Sequence, residues 1–262
     1  MNSIDLQEAT ELLRVHYGIE GTLTAIDGEL DLNFQVVDHN GRGFILKVAA
    51  ANTKPGYMDF QQKLLASLNG QNAPEVIKDL KGEAMVTFTD KEGGSRFLRL
   101  LTWIPGRVWS SVNPYTENLR FTLGMACGEM IHRLQCFDHP FAHREFEWDL
   151  AAGLWIENQL HLFGSHQQAQ LKRHILSFKG FQPGYQKLRK SIVHNDANDN
   201  NIIVSDDKLH PTVQSLIDYG DAIYTQVIND VAITCAYAAF NVLDPVEATL
   251  PILAGKLTDV NI

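Results

Sequence analysis

The hydrophobic period of this 262-residue chain changes once, near Trp103-Ile104-Pro105-Gly106-Arg107, and that change restricts the fold more than any other feature. On the N-terminal side, apolar and polar residues alternate over short stretches bounded by turn residues, the pattern of half-buried strands. On the other side, apolar residues recur mainly at helical spacing. Ile104 precedes a proline and is biased away from the helical region, so one regime ends before the next begins. The pattern calls for two lobes, one sheet-rich and one helix-rich, and the chain is long enough for both.

In the first lobe, residues 22–26, 33–37 and 43–48 read as strands of an antiparallel meander, with a turn at His39-Asn40-Gly41. Pro55 then opens a segment in which Phe60, Leu64 and Leu68 recur every fourth residue, and Asn69-Gly70 closes it, which predicts a helix. Residues 84–89 and 95–102 form a hairpin across Asp90-Lys91-Glu92-Gly93-Gly94, so the expected order is βββαββ. In the second lobe, helical periods cover 119–134, 150–162 and 171–178, and Met125, Cys127 and Met130 read as helix core. A strand-rich insert follows at 192–194, 201–204 and 213–217. Residues 230–240 are apolar on nearly every side and predict a helix through the centre of the lobe. The expected organisation is an α+β chain with an N-terminal lobe at 1–102, a connection at 103–107 and a C-terminal lobe at 108–262.

Composition narrows the partners. Lys and Arg number 22 against 31 Asp and Glu, a net charge of −9, so nothing draws the chain generally to phosphate backbones or anionic lipid, and neither nucleic acid nor membrane is expected as a partner. No run approaches the ~20 apolar residues of a membrane span. The acidic start, Met1-Asn2-Ser3-Ile4-Asp5, lacks the basic and apolar regions of a secretion signal. The expected location is the cytoplasm. Cys127, Cys136 and Cys235 are scattered without CxxC spacing, and are expected to be reduced and buried.

The chemistry concentrates in His194-Asn195-Asp196-Ala197-Asn198-Asp199-Asn200-Asn201, a polar loop bracketed by Ile192-Val193 and Ile202-Ile203-Val204. Apolar strands on both sides would hold Asp196 and Asn201 on a rigid frame, as a catalytic base and a metal ligand require. Downstream, Leu216-Ile217-Asp218-Tyr219-Gly220-Asp221 delivers a second carboxylate ahead of a glycine. These oxygens suit phosphoryl transfer from a nucleotide. Mg²⁺ takes one or two protein oxygens plus phosphate and water, a role for Asn201 and Asp218, while Asp196 holds the acceptor hydroxyl. The cation best placed for the triphosphate is Lys47, on the third strand and just before the first-lobe helix, which is the kinase strand-three position. There is no GxxxxGK[ST] or GxGxxG, so nucleotide would sit between the lobes, under residues 27–33 with Asn33 near the phosphates. Leu101 and Trp103 would line an adenine slot, His194 would position the loop, and Asp221 would be a further polar contact or the start of a helix.

These residues resemble the aminoglycoside phosphotransferase-like (phosphotransferase enzyme) family, which has the protein-kinase-like fold, and the resemblance runs over essentially the whole chain. His194-x-Asp196-x4-Asn201 matches the family's HxDxxxxN loop, Ile217-Asp218-Tyr219-Gly220-Asp221 its metal-binding I-D-[FY]-G-D, and Lys47 its nucleotide lysine. Arg99-Leu100-Leu101, Ile104-Pro105-Gly106 and Trp148-Asp149-Leu150 are most similar to the hydroxylysine-kinase-like branch. The resemblance implies ATP or GTP with Mg²⁺ and a small hydroxylated amine such as 5-hydroxylysine as acceptor. Homoserine, choline, ethanolamine or an aminoglycoside are alternative acceptors, and a non-catalytic regulatory or docking module is the alternative role. It also implies association or fusion with a class III aminotransferase. Where kinases carry a glutamate that pairs with the lysine, this chain has Gln61, with Asp59 two residues earlier. Family members usually continue with several helices beyond the equivalent of Phe240, so a C-terminally truncated piece is expected.

Overall fold

Alternation in the first hundred residues produces strands that pair with their neighbours. In the computed structural model, which describes residues 4–257, the first lobe holds β1 (Gly21–Ile26), β2 (Leu32–Asp38), β3 (Gly43–Val48), β4 (Val76–Ile77), β5 (Val86–Thr89) and β6 (Ser95–Thr102). The sheet runs β1-β2-β3-β6-β4, with β5 also on β6, and every pairing is antiparallel. Two elements add to the expected βββαββ order. One is the two-residue strand β4; the other is α1 (Leu6–Tyr17), which precedes the sheet. Asp5 caps α1 by accepting the Glu8 N–H at 2.8 Å, and Gly18 ends it in the left-handed region at φ 64. Ala9, Leu13 and Tyr17, four residues apart, pack onto Phe34, Val36, Phe44, Leu46, Val48, Leu98 and Leu100 as a first core.

The expected first-lobe helix is α2 (Pro55–Leu68). Its apolar stripe, Phe60, Leu64, Leu65 and Leu68, joins a second core with Trp109, Leu119, Leu123, Met130 and Ile192 rather than the core under α1. The helix therefore ties the sheet to the larger lobe. After β6, the Trp103 N–H donates to the Gly43 carbonyl at 3.0 Å. The chain then enters β7 (Arg107–Val108). Gly106 between them has φ 135, and a β-carbon there would run into the Val204 carbonyl, so only glycine fits the passage.

The second lobe contains α3 (Glu117–Leu134), α4 (Ser165–Tyr185), β8 (Lys190–Val193), β9 (Ile202–Val204), β10 (Val213–Leu216), β11 (Ile223–Gln226), α5 (Val227–Ala238) and α6 (Pro245–Leu257). β9 pairs with β7 and β10, and β8 pairs with β11. α3 and α6 approach closely enough that a β-carbon on Gly124 would meet the Ile252 carbonyl and one on Gly255 the Phe121 carbonyl. The 171–178 period belongs to the longer α4, while 150–162 forms successive 3₁₀ turns that leave Leu150, Trp155 and Leu162 exposed.

Residues 230–240 correct a sequence expectation. α5 is not a central apolar helix: it buries Asn229, Asp230 and Thr234 and exposes Ile228, Ala232 and Ala236. The inversion is stable because the buried polar groups are paired. Asp230 accepts the Asn195 N–H at 3.3 Å and the Lys256 ammonium at 3.2 Å, and Asn229 accepts the Tyr185 hydroxyl at 2.7 Å. Met125 is exposed rather than core, and of the three free cysteines only Cys127 is buried.

Candidate active site

Period-two alternation sorts the first-lobe side chains between α1 and the cleft. Phe34, Leu46, Leu98 and Leu100 face α1, so Asn33, Lys47 and Arg99 occupy the other face. The register sets Asn33 opposite Lys47 and Lys47 opposite Arg99, one row across β2, β3 and β6. All three line a cavity of about 390 Å³ between the lobes, together with Leu101, Trp103, Asn201 and Asp218.

Across the cleft, β8 delivers the loop 194–201. His194 is fully buried; its Nε2 lies 2.9 Å from the Ile217 carbonyl, and its Nδ1 lies 3.3 Å from the Asp196 N–H. That geometry needs the proton on Nε2, so a neutral imidazole ties the Asp196 loop to the strand end that presents Asp218. Asn195 and Asp218 are left-handed, at φ 64 and φ 60, which aims the following residues into the cleft at a cost in local strain. Asn201 donates through Nδ2 to the Asp196 carboxylate at 2.8 Å and to the Asp196 carbonyl at 2.9 Å. Asn198 Nδ2 lies 3.0 Å from both Asp196 oxygens, and its own Oδ1 accepts the Asn200 and Asn201 N–H groups.

The partner of Lys47 is Asp218. Its Nζ lies 3.5 Å from the Asp218 carboxylate. Gln61, in the kinase glutamate position, instead accepts from the Arg99 guanidinium, and Asp59 pairs with Lys63 and His139. Burial, and then the neighbouring Arg99 charge, pull the Lys47 ammonium below its ordinary range. Burial alone would raise Asp218, yet Lys47 and Arg99 outweigh it and its carboxyl sits below the usual range. Asp196 moves the other way: burial raises it despite the hydrogen bond from Asn198.

Asp221 stands beside this group with its carboxyl pushed up to about 6 by burial and by the Asp196 charge. A raised carboxyl means that its ionised form costs stability in the folded state above about pH 6 and costs nothing once pH falls below the unfolded value of 3.8. Asp221→Asn is therefore expected to stabilise the nucleotide-free protein at pH 7.5 by about 1 kcal/mol, after allowance for its partial solvent exposure. The gain should shrink to nothing by about pH 4, read as the change in urea midpoint across that range.

Two arginines and an aspartate that received no individual role from sequence complete the site. Arg144 donates to the carbonyls of Ala222 at 2.7 Å and Gly220 at 3.2 Å, bracing the turn after Asp218. Arg99 donates to Asp31 at 3.2 Å. Alternation along β6 would have set Arg99 beside Leu101 on the cleft face, and Asp31 lies within the 27–33 segment expected over the phosphates, whereas nothing local in Arg144 signals the cleft. His139 is buried against Phe60 and Phe141. Trp109 is core, stacked on Tyr115, while Trp148 and Trp155 are exposed.

The oxygens available to a metal are hard ones. Asn201 commits its Nδ2 to Asp196, leaving Oδ1 as the acceptor it can offer, and Asp218 adds a half-exposed carboxylate. Among the described residues no cluster of three His, Cys, Asp or Glu side chains could form a protein-only metal site. Two hard oxygens opening on a cavity fit a divalent cation that completes its shell with phosphate and water.

Comparison with known proteins identifies the family and the fold. Residues 22–252 match the phosphotransferase enzyme family. The chain is 26% identical over 229 residues to hydroxylysine kinase of Bos taurus, covering 80% of this chain and 61% of that protein. It is 24% identical over 253 residues to the Mus musculus hydroxylysine kinase, covering 86% and 66%. The chain thus spans under two thirds of the length of these curated relatives. Among solved structures, an amicoumacin kinase in complex with AMP-PNP and Ca²⁺ superposes with a TM-score of 0.71 at 18% identity, over 98% of this chain and 77% of the other. A microcompartment-associated aminopropanol kinase gives 0.69 at 18% identity, over 98% and 82%. The α+β kinase-like fold is shared with both.

Proposed function

The chain belongs to the phosphotransferase enzyme family, and from that premise we propose that it transfers the terminal phosphoryl group of ATP or GTP, with Mg²⁺, to the hydroxyl of a small amino alcohol, 5-hydroxylysine foremost. The observation that carries this reading is the meeting of Lys47, Asp196, Asn201 and Asp218, from β3 and two loops, around one cleft. In this reading residues 1–102 hold the nucleotide, 103–107 are the hinge, and 108–262 carry the acceptor site.

The acceptor oxygen forms its bond to the transferring phosphorus as the bond to the nucleoside diphosphate breaks, and its proton passes to Asp196. The Asn198 and Asn201 amides fix that carboxylate, so its first contribution is orientation, and its raised pKa makes it a better proton acceptor than a solvated aspartate. Lys47 grips the phosphates once nucleotide competes with Asp218 for its ammonium. Leu101 and Trp103 bound the base by their apolar surfaces, since the Trp103 N–H is spent on Gly43. A cation held by Asn201 and Asp218 would neutralise charge developing on the phosphates. The neighbouring cavity of about 140 Å³ sets Glu29, Asp196, Asp218 and Asp221 against Lys47 and Arg99, and the carboxylates on the side away from those cations suit the ammonium of an amino alcohol.

The test is ADP release by the purified protein with MgATP across a panel containing 5-hydroxylysine, homoserine, choline, ethanolamine and an aminoglycoside. Acceptor-stimulated release, strongest with 5-hydroxylysine, is the expected result. Nucleotide binding without release for any member would contradict the reading.

A further inference from the structure

The row Asn33–Lys47–Arg99 contains a liability. Lys47 and Arg99 are 7% and 4% exposed and stand directly opposite each other on adjacent strands. Like charges so placed repel, and buried cations are tolerated only when anions or acceptors surround them. Asp218 serves Lys47. Arg99 has two partners of different kinds: Gln61, which accepts one N–H, and Asp31, whose carboxylate lies 3.2 Å from Nη2. Its buried Nε–H has no protein partner among the described residues.

These partners differ in permanence. Gln61 is buried on α2, and as a neutral amide it orients the guanidinium without consuming its charge. Asp31 is not part of the sheet. It lies on the connection between β1 and β2, 21% exposed, secured otherwise by the Ala50 N–H at 3.4 Å. Arg99, Lys47 and Asn33 line both the larger cavity and its smaller neighbour, and Asp31 forms part of the wall of the latter.

We propose that Arg99 is a second phosphate-binding group of the nucleotide site, and that Asp31 is its placeholder, neutralising the guanidinium until a nucleotide phosphate displaces it. The inference rests on the phosphotransferase reading of the cleft. It explains why a glutamine serves where a carboxylate would cancel the charge: Arg99 must stay oriented yet remain cationic toward its ligand. Displacement of Asp31 also frees residues 27–31 from the cleft wall, so the connection and the phosphate compete for one guanidinium.

The test is calorimetric binding of adenosine, ADP and ATP, each with MgCl₂, to the wild-type protein and to Arg99→Gln, Arg99→Lys and Asp31→Asn, with circular dichroism to confirm folding. Arg99→Gln should lose about tenfold or more in affinity for ADP and ATP while adenosine binding is unchanged, and Arg99→Lys should recover part of the loss. Asp31→Asn should bind ADP and ATP several-fold more tightly and adenosine as before. A purely structural role for the pair would weaken all three ligands together and would overturn the proposal. So would nucleotide affinity in Arg99→Gln within about twofold of wild type. If Arg99→Gln does not fold, Asp31→Asn decides alone, and unchanged or weaker ATP binding overturns it. A wild-type protein that binds ATP but phosphorylates nothing removes the kinase reading and leaves the Arg99 result standing; one that binds no nucleotide removes both.

Discussion

Asp196→Asn is expected to lower kcat for phosphate transfer by about 10²–10⁴-fold while leaving nucleotide affinity within about twofold of wild type. The asparagine has the shape of the aspartate, and its amide oxygen in the Oδ2 position can still accept from both Asn198 and Asn201, so the loop keeps its main ties while the proton acceptor and the second Asn198 bond are lost. The residues proposed to hold the phosphates and their cation, Lys47, Arg99 and Asp218, lie on other segments. The separation of kcat from nucleotide affinity distinguishes a role in the chemical step from one in holding the fold. A kcat within tenfold of wild type would mean that another group takes the proton.

Asp218→Asn should be nearly as severe, for a different reason. Asparagine tolerates the left-handed φ of 60 at this position, so the backbone that aims the following turn is maintained. What disappears is the negative charge of one of the two oxygen ligands in this reading, leaving a neutral amide oxygen, and with it the countercharge 3.5 Å from Lys47. Turnover is expected to fall about 10³-fold, the equivalent of several kcal/mol of transition-state stabilisation. The accompanying signature is loss of the Mg²⁺ dependence of ATP binding, measured by titration at several Mg²⁺ concentrations. Retention of that dependence would move the metal away from Asp218.

The two motif loops were legible because each is short and bracketed by apolar strands that can only be buried: Ile192-Val193 and Ile202-Ile203-Val204 around one, Leu216-Ile217 before the other. Lys47 drew attention by its place on the third strand just before α2, not by the face it takes. The pairing of Lys47 with Asp218 was not legible, because the two are 171 positions apart and no local rule links them. Gln61 drew attention as a departure, but its meaning needed Arg99 opposite it, a contact between α2 and β6 that only the tertiary structure supplies.

Periodicity misled at α5, where burial follows the pairing of polar groups rather than the apolar count. In α5, Asp230 faces in because Lys256 and the Asn195 N–H satisfy it, and the apolar residues turn outward with the helix. The inward polar stripe reaches the residue preceding Asp196, so the same misreading also concealed a support of the active-site loop. α1 carried a readable start and stop, Asp5 with Glu8 three residues on and Gly18 at its end, although its acidic sequence first read only as the absence of a signal peptide.

Phosphate transfer from nucleotide to an amino-alcohol oxygen through Asp196 is the core of the proposed mechanism. It is tested most directly by incubating the protein with MgATP labelled in the terminal phosphate and 5-hydroxylysine, then measuring labelled O-phosphohydroxylysine and ADP together. Equal amounts of the two are expected, dependent on Mg²⁺ and reduced to background in Asp196→Asn. Label released only as inorganic phosphate, or an equal yield of phosphohydroxylysine from Asp196→Asn, would contradict it.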